Sequence, residues 1–106
     1  MGLITRDELK RKLDTNENFK LVMALAPHAF TLMRIPGSML LSGSEHAFED
    51  ITTDDEIVLY CAGADSPASQ IAYDLLTERG YKYVYRYAGG LADWAAAGYP
   101  LEGEAV

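Results

Sequence analysis

Two continuous apolar runs punctuate the chain, residues 21–26 and residues 57–60. Short runs without alternation predict strands covered on both faces. Behind the second run, Ala68, Ile71, Ala72, Leu75 and Leu76 recur at helical spacing. Ser66 suits the N-cap of that helix, Pro67 its first position and Gly80 its C-terminal stop. At the start of the chain, Thr5-Arg6-Asp7-Glu8 reads as a capping box. The helix it opens turns Leu9 and Leu13 inward and leaves Lys10, Arg11 and Lys12 facing water. Pro27 ends the first apolar run. Residues 28–33 fit one or two helical turns, residues 35–38 a turn, and residues 39–41 a short strand. Residues 44–50 read as a short acidic helix, with Ala47 and Phe48 as its apolar contacts.

Residues 82–87 are aromatic and β-rich, so the tyrosines at 81, 83, 85 and 87 are read as positions along a strand rather than a stacking platform. Gly89-Gly90 breaks that strand and allows a tight turn beside residue 61. Residues 91–97 form a last helix with Trp94 in the core, stopped by Gly98 and Pro100. The tail beyond Leu101 is expected to be loose. Short strands alternating with helices predict an α/β fold, a small and mostly parallel sheet with helices on both faces, in one domain over residues 1–106.

Composition narrows the partners. The chain has 106 residues, 49% of them apolar, with a net charge of −7. That charge argues against nucleic acid or an anionic membrane surface, while leaving room for a small anion held by local N–H groups. One cysteine cannot form an internal disulfide, which fits a reducing compartment. With no signal-peptide pattern after Met1 and no run long enough to span a bilayer, a cytoplasmic protein is expected. His28 and His46 show no metal-ligand spacing, so neither a metal nor a cofactor is expected. Glu45, Glu49 and Asp50 read as a solvated helix face.

The chemistry points to Cys61. It stands at the carboxyl end of a buried strand, before a short turn and a helix start, where ligands of open α/β sheets usually bind. Free N–H groups in such a place favour a thiolate and can hold an anion beside it. A buried, inert cysteine filling space is the competing reading.

Taken in order, several motifs resemble the single-domain rhodanese-like proteins. They are Thr5-x-x-Glu8-Leu9, Ile35-Pro36-Gly37, residues 57–61, Gly80-Tyr81, Val84-Tyr85, Gly89-Gly90-Leu91, Trp94 and Ala97-Gly98-Tyr99-Pro100. The resemblance implies a five-stranded parallel sheet and a sulfurtransferase in which Cys61 takes a sulfane sulfur as a persulfide. Ala62, Gly63, Ala64, Asp65 and Ser66 would cradle it, with Arg34 as a substrate-binding cation and Arg86 as another candidate. The implied partners are a small donor, thiosulfate or a persulfide, and a thiol or protein acceptor.

The chain departs from the family at three places. Met23 and Leu25 stand where an Asp-x-Arg pair is usual, Arg34 stands for a histidine, and Asp65 and Ser66 occupy loop positions that often carry a cation. An inward Asp65 would oppose a thiolate and repel thiosulfate; an outward one would complement the helix dipole. These departures leave open a module with weak or no turnover, used for binding, sulfur relay or regulation. A cysteine phosphatase or arsenate reductase would need a loop arginine, and none lies between Cys61 and Arg79.

Overall fold

The computed structural model describes residues 2–24, 27–41, 51–63 and 67–106. Four parallel strands, β1 (Lys20–Met23), β2 (Met39–Leu40), β3 (Glu56–Tyr60) and β4 (Tyr83–Tyr87), lie in the order β2-β1-β3-β4. The helices are α1 (Arg6–Asp14), α2 (Pro27–Leu32), α3 (Ala68–Glu78) and α4 (Gly90–Ala96). The α/β class is as expected. Among the described residues, the expected five-stranded sheet has four strands plus one residue: Leu3 makes a single parallel bridge to Arg86 on the outer side of β4. Of the described residues, only Gly2 and Ile4 bond the β4 backbone there, so the segment is too short to count as a strand. Among the described residues, no helix is long and apolar enough to cross a membrane.

The two apolar runs do what buried strands should. On one face Leu21, Met23, Val58, Tyr60 and Tyr87 pack with Leu9 of α1, Ile35 and Trp94 of α4. On the other Val22, Ile57, Leu59 and Val84 pack with Ala72 and Leu76 of α3 and with Ile51. Successive strand residues point to opposite faces, so each run serves both layers. Tyr85 and Tyr87 accordingly join the first core, whereas Tyr83, at the strand's start, is half exposed.

Local signals set the helix ends. Thr5 Oγ1 accepts from the Glu8 N–H at 3.1 Å while Glu8 Oε1 accepts from the Thr5 N–H at 3.0 Å, a complete capping box. The Thr5 N–H first, and the Thr5 hydroxyl second, hold the Glu8 carboxyl below its ordinary value. Gly80, at φ +88, ends α3: its N–H donates to Thr77 O and that of Tyr81 to Leu76 O, the paired bonds of a Schellman stop.

Four expectations are corrected. The buried face of α3 carries Ser69, Ala72 and Leu76, whereas Ile71 is 63% and Leu75 37% exposed. Helix α3 begins at Ala68, one residue later than expected, with Pro67 before it in α-helical backbone. Lys12 is largely covered, pairing with Glu56 of β3 and with Glu17. The tail is docked: Arg34 and Glu102 exchange backbone bonds of 2.9 Å, and the Glu104 and Ala105 N–H groups donate to Thr31 O and Leu32 O at the end of α2. The last carbonyls of a helix face outward from its end, where a passing tail can donate to them. The expected helix over residues 44–50, with His46, lies outside the described residues, as do Leu25 and the His28 side chain.

Candidate functional site

Cys61 follows the last residue of β3, and its side chain is fully buried. Its Sγ donates a long hydrogen bond of 3.5 Å to the Gly63 carbonyl. Ala62 is exposed and Gly63 half-buried, so the chain rises from the sheet to the surface within two residues. Among the described residues, neither the Ala62 nor the Gly63 N–H donates a hydrogen bond.

The turn between β4 and α4 is pressed against this segment. Gly90 has φ +66, and a Cβ placed on it would lie 2.5 Å from the Cys61 carbonyl oxygen and 2.9 Å from the Gly63 nitrogen. Only glycine meets both demands. This close approach lets the first amides of α4 reach across: Leu91 N–H donates to Cys61 O and Ala92 N–H to Ala62 O, each at 2.8 Å. Amides left unpaired at a helix start thereby fix the two carbonyls beside the thiol.

A second set of contacts anchors α4 itself. Asp93 Oδ2 accepts from the Tyr87 hydroxyl at 2.5 Å, and Asp93 Oδ1 accepts from Arg6 Nη1 at 3.2 Å. Burial first, and the neighbouring Asp93 carboxylate second, push the Tyr87 phenol far above its ordinary value. Trp94 packs edge-on to Tyr87 and Tyr99, with ring centroids 6.2 and 4.9 Å apart, and its Nε1 donates to Pro100 O at 2.8 Å. Strand β4, helix α1 and the tail therefore converge on one turn of α4.

The structure brings Cys61, Ala62 and Gly63 together. Ala64, Asp65 and Ser66 lie outside the described residues. Arg34 is engaged by other residues: its Nε is 3.3 Å from Glu102 Oε1, its Nη1 donates to Phe30 O at 3.2 Å, and its guanidinium lies over the Phe30 ring. Arg86 reaches Ser69 Oγ at 3.4 Å and lines a cavity of about 320 Å³ with Gly2, Leu3, Gln70 and Tyr73. Met23 is fully buried in the first core. Beside it, Tyr60 receives a hydrogen bond from the Ile35 N–H at 3.0 Å and shares one with Ser38 Oγ at 2.8 Å, tying the Ile35-Pro36-Gly37 turn to β3. Burial raises the Tyr60 phenol above its ordinary value.

Asp93 is the functional candidate that sequence reasoning missed. Its only signal is its place in the first turn of α4, four residues after Gly89; the partners that give it meaning are Tyr87 and, far along the chain, Arg6.

The profile of the rhodanese-like domain matches residues 5–97. No curated protein matches the sequence. Among solved structures, the rhodanese-like domain of an Anabaena protein is 26% identical, with a TM-score of 0.87, over 99% of this chain and 81% of that one. A protein from Bacillus halodurans is 18% identical, with a TM-score of 0.90, over 98% of this chain and 78% of that one. A thiosulfate sulfurtransferase from Pseudomonas aeruginosa is 23% identical, with a TM-score of 0.84; the match covers 97% of this chain and only 20% of that one. The last two are likenesses of fold. A profile match over most of the length, on a parallel sheet with a cysteine at the end of β3, leads to one conclusion: the chain belongs to the rhodanese-like domain family.

Proposed function

We propose that residues 1–106 act as one sulfur-carrying domain, with Cys61 as the nucleophile. The observation that carries this reading is the arrangement at the end of β3, where the carbonyls of Cys61 and Ala62 are held by α4 and, among the described residues, the Ala62 and Gly63 amides donate no hydrogen bond. In the first step the Cys61 thiolate attacks the outer sulfur of a donor, thiosulfate or a persulfide. A new S–S bond forms on Cys61 as the donor's own S–S bond breaks, and sulfite or a thiolate leaves with the electron pair. In the second step a thiolate acceptor, small or carried on a protein, attacks the outer sulfur and Cys61 leaves as thiolate. The two steps balance without an external oxidant or cofactor. A single thiol suits the reducing, cytoplasmic setting in which such exchange persists.

Ala64, Asp65 and Ser66 complete the cradle in this proposal, with Arg34 as its cation. A module that carries or binds sulfur with slow turnover is the second reading. Complete burial of Cys61 and the apolar Met23 favour it. Steady-state transfer from thiosulfate and from a low-molecular-weight persulfide to cyanide, followed as thiocyanate, separates the two. Turnover lost in Cys61→Ser supports the enzyme; one equivalent of thiocyanate and then silence supports the relay module.

A further inference from the structure

We propose that Asp93 is a positioning residue for Cys61, holding the first turn of α4 so that its amides and Gly90 keep the Cys61–Gly63 backbone closed over the thiol. The chain of contacts is continuous. Arg6 at the start of α1 and Tyr87 at the end of β4 each donate to one oxygen of the Asp93 carboxylate. The Asp93 side chain packs over Gly89 so closely that a Cβ there would lie 2.8–2.9 Å from it. The next residue is Gly90, which abuts the Cys61 carbonyl, and the next two donate to Cys61 O and Ala62 O. Asp93 touches neither the sulfur nor any reacting atom; it acts through the turn it holds.

This inference rests on Cys61 as the reacting atom, yet its test reads the thiol's accessibility and not sulfur transfer. Hydrogen bonds to a charged carboxylate are strong enough that losing them shifts a local opening equilibrium on the order of tenfold or more. Alkylation of Cys61 by iodoacetamide is therefore followed by intact mass in the native protein, in Asp93→Asn and in Tyr87→Phe, at zero and low urea. Leu21→Ala, in the first core at the start of β1, serves as a control that loosens the whole fold. The expected result is alkylation about tenfold faster in both clamp variants, with little dependence on low urea, and a smaller, urea-dependent gain in Leu21→Ala. Rates within about twofold of the native protein, or gains that follow global stability as in the control, overturn the inference. Should Asp93→Asn fail to fold, Tyr87→Phe alone decides it. Absence of a persulfide on the native protein would overturn the proposed function and leave the alkylation result standing.

Discussion

Two of the strand-to-helix turns at the carboxyl edge of the sheet, those after β3 and β4, divide the work differently. The turn after β3 carries the reactive side chain, Cys61, and two amides free of hydrogen bonds among the described residues. The turn after β4, Ala88 and Gly89, carries no reactive side chain, yet it delivers Gly90 against the Cys61 carbonyl and the N–H groups of Leu91 and Ala92 in α4 to the Cys61 and Ala62 carbonyls. The difference teaches that chemistry and rigidity need not share a loop. The thiol segment can leave amides for a ligand because its carbonyls are satisfied from next door. Substitutions at the Gly89-Gly90 junction should therefore cost more stability than substitutions along the exposed side of α3, and should also reach Cys61.

The largest effect is expected from Trp94→Ala, which removes the anchor of α4 from the core. Burial to 1% exposure and the bond to Pro100 place the loss at about 3–5 kcal/mol in urea unfolding. A loss below about 1 kcal/mol would show α4 to be a loosely attached helix. Gly90→Ala comes next, at about 2–4 kcal/mol, because it combines a left-handed backbone with a collision at the Cys61 carbonyl. It should speed Cys61 alkylation as well. Stability lost with no change at the thiol would break the link between the two turns.

A smaller effect is expected from alkali. Tyr60 and Tyr87 have folded-state values raised from 10.0, so an unfolded chain sheds these protons at a pH where the folded chain still holds them. The folded state then binds more protons, and stability falls as pH rises above 10.0. Lys12 acts in the same direction: burial opposes its charge, but Glu56 and Glu17 together outweigh that and raise it. The urea midpoint should thus drop between about pH 9 and pH 11, and drop less in Tyr87→Phe. An equal slope in the variant would show that Tyr87 is not part of the decline. The smallest effect belongs to Ile71→Ser on the exposed side of α3, within about 0.5 kcal/mol despite the loss of a large apolar group. A cost above about 1.5 kcal/mol would mean that Ile71 is covered by something.

What was legible in the sequence was local. The Thr5–Glu8 box, the β3 run, the Gly80 stop and the tight turn at Gly89-Gly90 each depend on residues a few positions apart, and each stands as read. The placing of Cys61 at a strand end followed from the same kind of signal. What stayed hidden was set by partners far along the chain. Helical spacing marked Ile71 and Leu75 as one apolar stripe, but the packing of α3 on the sheet buried Ser69 in their stead, close enough to receive a hydrogen bond from Arg86. Arg34 looked free to serve a ligand because Glu102 is remote in sequence, and the same pair ties down a tail expected to be loose. Asp93 gained its role only when Arg6 and Tyr87 were brought to it.

The central claim is tested most directly by the intact mass of the reduced protein after exposure to thiosulfate and, separately, to a low-molecular-weight persulfide, beside Cys61→Ser. A gain of one sulfur atom, reversed by cyanide or a thiol and missing in the variant, is the predicted result. No gain with either donor from a folded native protein, or an equal gain in Cys61→Ser, would contradict Cys61 as the sulfur carrier.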